Sequence, residues 1–223
     1  GNLGNILDFD NLTKENIYVL DSPILSNSQF EKFLNYFGGN YRILDCTFGL
    51  EDNLENALNK LKYQVEQLVR EGIKQAVLTD KHISKKKLPI PMLLCIGAIN
   101  THLINIGLRG YVSINVQTGD ALDTHSFATL IGVGATIVNP YLAFDSIHQR
   151  YSKMLFGKLS FEECISRYIK SVNLGLLKIM SKMGISVLSS YRGGCNFEAV
   201  GLSRALVAEY FPGMTSRISG IGI

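Results

Sequence analysis

What most constrains this chain is an alternation: short apolar runs rich in β-branched residues recur between segments whose apolar positions keep helical spacing. Ile43 to Phe48 is the first such run, and Asn53 to Glu71 then sets Leu54, Leu58, Leu61, Val65 and Leu68 on one helical face, with Gly72 placed to end the helix. Gln75 to Thr79 reads as a second, buried strand, and Pro91 to Ile106 as an apolar helix with proline in its first turn. Tyr111 to Val116, Asp123 to Ile131, Thr136 to Val138 and Tyr141 onward continue as strand, helix, strand and helix. Ser160 to Met183 keeps helical spacing through Phe161, Ile165, Ile169, Val172, Leu176 and Met180, Gly184 follows as a cap, and Ile185 to Leu188 reads as a fifth strand. The turn Arg192-Gly193-Gly194 then leads into a helix beginning at Phe197, while residues 1–42 read as an irregular N-terminal arm. Strands separated by helices of this length predict an α/β fold, a parallel β-sheet with alternating helices and right-handed crossovers, because parallel neighbours cannot be joined by a tight hairpin. Periodicity fits an open sheet and part of a barrel equally.

At 223 residues and 46% hydrophobic side chains the chain suits a single domain, 1–223, with a substantial core. The net charge of +3 is spread out and lacks the dense Lys/Arg stripe that nucleic-acid phosphates require, so no nucleic-acid partner is expected. The one cluster, Lys85, Lys86 and Lys87, reads as a solvated loop before Pro89 and Pro91. Cys46, Cys95, Cys164 and Cys195 stand far apart without the close spacings of zinc or iron-sulfur ligation, and read as reduced, buried thiols. Apolar runs are broken by polar residues before they reach a bilayer span, so no membrane partner is expected and a cytoplasmic location is. The opening at Gly1 reads as the start of an excised segment.

In a parallel α/β fold the loops after the strand ends are where ligands sit, which directs attention to Cys46-Thr47, Thr79-Asp80, Gln117 to Asp120, Asn139-Pro140 and Ser189 to Gly194. Asp80 at a strand end is read as bracing a turn or capping a helix rather than as a catalytic acid or base. His102 and His125 lie on different elements without the i, i+4 spacing of a metal pair, and read as satisfied packing histidines. Gly132-Val133-Gly134 leads into a strand, the reverse of a phosphate loop's order, so close packing is its expected role. Arg192, in the turn before Gly193-Gly194, is the best anion-binding candidate, with an ion pair to Glu198 or to an acidic group of an adjoining domain preferred. Cys195 reads as lying near a helix N-terminus, but no histidine is near in sequence to activate it. A rival reading is an independent small-molecule or phosphate-binding enzyme that brings Asp80, Asp120 and Arg192 together in strand-end loops.

The stretch KIMSKMGISVLSSYRGGCNFEAVGL, from Lys178 to Leu202, resembles the central domain of the glutamate synthase large subunit. LDSPILSNSQF, KLPIPMLLCIGAINTHLI, LIGVGATIVNPYLAFDSI and MTSRISGIGI resemble it too, in the same order, so the likeness covers nearly the whole chain. It implies an incomplete or degenerate (β/α) barrel related to the flavin barrel beside it. It also implies a non-catalytic connector between a glutamine amidotransferase domain and an FMN domain, helping to enclose an ammonia tunnel. No cofactor is expected in this chain; FMN and an iron-sulfur cluster are implied for the parent enzyme, and a small reductase subunit for its holoenzyme. For interdomain contact, position at a strand C-terminus points to Ser190, Tyr191, Arg192, Phe197 and Glu198, and position at the chain end to Thr215, Ser216 and Arg217, at the exit toward the flavin domain.

Overall fold

A computed structural model describes residues 18–223. In chain order its elements are α1 (Asn27–Phe37), β1 (Tyr41–Asp45), β2 (Thr47–Gly49), α2 (Leu54–Arg70), β3 (Gln75–Thr79), β4 (Lys87–Pro89), α3 (Met92–Asn105), β5 (Ser113–Gln117), α4 (Thr124–Val133), β6 (Ile137–Asn139), α5 (Tyr141–Ser152), α6 (Phe161–Lys182), α7 (Leu188–Tyr191), β7 (Glu198–Leu202), α8 (Arg204–Tyr210) and β8 (Thr215–Ile221). The central sheet is parallel and runs β1-β3-β5-β6. Its spatial order follows the chain, without the reversal of a doubly wound sheet, so it has the strand sequence of a (β/α) barrel left open after four strands. The expected α/β class, parallel sheet and incomplete barrel are all observed.

Side-chain alternation divides the sheet into two faces. Leu44, Ala76, Leu78, Ile114, Val116 and Val138 join the larger core with the helices, among them Leu58, Leu61 and Val65 of α2 and Ile96, Ile99 and Leu103 of α3. Val77 and Ile137 point the other way and pack with Leu25, Phe30 and Phe33. That second face is the one a closed barrel turns inward; here α1 covers it. The helix forms because Ser26 and Gln29 make a capping box and Phe30 and Phe33 fall on one face. The expectation of an irregular arm through residue 42 is therefore corrected for α1 and for β1, which begins at Tyr41; residues 1–17 of that arm lie outside the described residues.

The expected fifth strand, Ile185 to Leu188, is not formed. The edge of β6 where it belonged is taken by Ile24, in a parallel bridge with Val138. Leu25 N–H donates to the Val138 carbonyl (3.1 Å), and Val138 N–H donates to the Pro23 carbonyl (2.8 Å). With those groups satisfied, the segment after Gly184 closes instead into the single turn of α7. The helix expected from Phe197 is likewise a strand, β7, paired in parallel with β8 across α8. Its alternation of buried Ala199 with exposed Val200 suits a strand that is covered on one side.

Apolar almost all round, α3 is a core helix. Gly97 lets the end of α8 sit directly on it: a Cβ there would come within 2.8 Å of the Tyr210 carbonyl oxygen and meet the Phe211 ring.

Candidate functional site

At the carboxyl ends of the strands, where a barrel enzyme holds its substrate, the polar side chains are bonded to one another. The Thr79 hydroxyl donates to Gln117 Oε1 (3.2 Å), Gln117 Nε2 donates to Asn139 Oδ1 (3.0 Å), and Asn139 Nδ2 donates to the Leu25 carbonyl and to Asn27 Oδ1 (3.0 Å each). This chain of hydrogen bonds crosses β3, β5 and β6 and ends in the first residue of α1. Asp80, fully buried, accepts from the Thr118 hydroxyl (2.6 Å) and the Gly119 N–H (3.0 Å), which fastens the loop after β5 to the end of β3. Asp120 accepts from the Met92 N–H (3.0 Å) at the start of α3, where Pro91 provides no side-chain cap. Asp80 thus braces a turn and Asp120 caps a helix from a distance. Burial, with Asp80 and Asp120 nearby, raises the Tyr141 phenol above its ordinary range, and Lys81 Nζ stands 5.1 Å from the centroid of that ring.

Beside this network, burial pushes the Asp45 carboxyl up, but hydrogen bonds from Thr47 and Lys87 outweigh it and hold the group below the usual carboxylate range. Lys87 Nζ lies 3.1 Å from Asp45, so the last member of the lysine run is paired, while Lys85 and Lys86 are exposed as expected. His102 Nε2 sits 2.9 Å from Glu66 Oε2, a partnered histidine between α3 and α2, whereas His125 is exposed, with its ring edge-on to Phe197. Arg70 first, and then His102, hold Glu66 below the usual carboxylate range.

Arg192 lies at the other end of the sheet. It donates from Nη1 to the Thr136 hydroxyl (2.9 Å), immediately before β6. Its neighbour Arg109 donates to Asn100 Oδ1 (2.6 Å), the Val112 carbonyl (2.7 Å) and the Gly134 carbonyl (3.0 Å), around the starts of β5 and β6. Burial, then the charge of Arg192, lowers Arg109 to about 10. A five-residue strand such as β5 separates the two ends by roughly 13 Å, so the grouping of Asp80, Asp120 and Arg192 into one site is corrected. The missing fifth strand is the reason, since that strand was to carry Arg192 to the carboxyl end. The expected Arg192–Glu198 pair is also not made: Glu198 faces Arg217 at 3.5 Å.

The remaining candidates spread over two regions. Ser190 is exposed, but Tyr191, expected at an interdomain surface, is wholly buried and its hydroxyl has no partner. Half-buried Phe197 rests its ring on Gly132, where a Cβ would have no room, and Gly193 N–H donates to the Gly132 carbonyl (2.7 Å). The Gly132 turn therefore serves close packing, as its sequence context implied. Thr215, Ser216 and Arg217 open β8, with Thr215 and Arg217 exposed and Ser216 Oγ buried without a partner. Cys46, Cys95 and Cys164 are buried, with burial and the neighbouring Cys46 driving the Cys95 thiol well up. Cys195 is exposed and precedes a strand, which corrects both its expected burial and its expected place at a helix start. Among the described residues no group of three His, Cys, Asp or Glu side chains stands together as metal ligands.

Sequence reasoning missed a cavity of about 550 Å³ between α1, α5 and α6, walled by Ile24, Phe144, Phe161 and Ile169 and rimmed by Ser22 and Ser26. The signals that could have found it are the two capping boxes, Ser26 with Gln29 and Ser160 with Glu163, which fix the helix starts beside it. No helix among the described residues is long and apolar enough to cross a membrane.

Comparison with known proteins gives a consistent picture. A family model described as the glutamate synthase central domain matches residues 1–203. Over its whole length the chain is 50% identical to the glutamate synthase [NADPH] large chain of Azospirillum brasilense, of which it covers 15%. It is 40% identical, over 92% of its length, to the glutamate synthase [NADPH] large chain of Bacillus subtilis, covering 13% of that protein. The chloroplastic ferredoxin-dependent glutamate synthase of Spinacia oleracea is 38% identical over 99% of the chain, which covers 14% of it. The chain thus spans about 15% or less of the length of these relatives.

Proposed function

The chain belongs to the glutamate synthase central-domain family, and from that premise we propose that it is a non-catalytic connector within a glutamate synthase large chain. In this reading it packs between a glutamine amidotransferase domain and an FMN domain. The parent enzyme makes glutamate from glutamine and 2-oxoglutarate, with FMN and an iron-sulfur cluster held by other parts of the chain and a small reductase subunit as a further partner in the holoenzyme. The connector's contribution is positional: by fixing the separation of the two sites it helps enclose the path of ammonia, which in open water is protonated and lost as a nucleophile. A cytoplasmic location goes with this reading.

The observation that carries it is the state of the strand ends. Thr79, Gln117, Asn139 and Asn27 are bonded to one another, and Asp80 and Asp120 hold backbone N–H groups of neighbouring loops. The polar groups a barrel enzyme aims at its substrate are here used to hold the fold. Ser190, Arg192, Phe197 and Glu198 near the amino ends, with Thr215, Ser216 and Arg217 on β8, are the residues proposed to face neighbouring domains; the enclosed Tyr191 ring supports them from beneath.

Thermal unfolding of the 223-residue chain with FMN, 2-oxoglutarate, glutamine or phosphate tests the non-catalytic part. A bound ligand at a hundred times its Kd stabilises by about 2.7 kcal/mol. The expected result is an unchanged midpoint with all four. A rise with any one of them means that this chain carries a ligand site and overturns the proposal.

A further inference from the structure

We draw no further inference here: the strongest candidate, the cavity of about 550 Å³ between α1, α5 and α6, carries none, because among the described residues no buried polar side chain without a partner lines it and nothing in the structure shows what fills it.

Discussion

Single side chains in this protein are committed to one another. Asp80 is 1% exposed and holds both the Thr118 hydroxyl and the Gly119 N–H. Asp80→Ala strands those donors in the interior and is expected to cost about 2–4 kcal/mol in urea denaturation; a loss inside the error of the measurement contradicts the bracing role. Gly132 meets the Phe197 ring with no space for a methyl group. Gly132→Ala is expected to destabilise by about 1–3 kcal/mol, and most of that penalty disappears in a Phe197→Ala background, a non-additivity that a double-mutant cycle reads directly. Glu66 gives a pH-dependent term. Its folded pKa is depressed by Arg70 first and His102 second, so its contribution is complete above the ordinary glutamate pKa of about 4.3 and is lost as pH falls through the lower folded value. Glu66→Gln is therefore expected to flatten that part of the acid limb of a plot of Tm against pH, with the neutral region altered less in shape.

At the scale of elements, what the sequence shows depends on whether an element's pattern is met by a free place in the fold. Gln75 to Thr79 is a strand to the residue, and the helical faces of α2, α3 and α6 fall within a residue or two of expectation. Their apolar positions are numerous, and local preference agrees with burial. Ile185 to Leu188 has as good a strand composition as Thr136 to Val138, yet its place beside β6 is held by Ile24, which lies far away in sequence. Phe197 to Leu202 looked helical because it follows a turn, but its alternation is that of a strand. The start of α3 shows the same non-local logic, since its cap is Asp120 rather than a neighbour in sequence. Asp120→Ala is expected to lower stability by about 1 kcal/mol, the ordinary cost of losing a helix cap, measurable as a fall in Tm. No change in Tm means that the Met92 N–H is satisfied without it.

For the whole molecule, the incomplete barrel follows from a sheet whose strands keep chain order and stop at four, with α1 covering the face that further strands would close. The positions of Asp80 and Asp120 at one end were legible from strand boundaries alone. That of Arg192 was not, because it depended on a strand for which the sheet has no edge. Motif resemblance carried what periodicity could not, the membership in a family whose named members are several times longer than this chain. The central claim, that the domain acts by position, is tested most directly by the glutamine hydrolysed per glutamate formed from 2-oxoglutarate in the intact large chain carrying Arg192→Ala and Arg217→Ala. The account predicts that this ratio rises above that of the unsubstituted chain, while glutamine hydrolysis alone and synthesis driven by added ammonia both persist. An unchanged ratio with unchanged domain packing contradicts it.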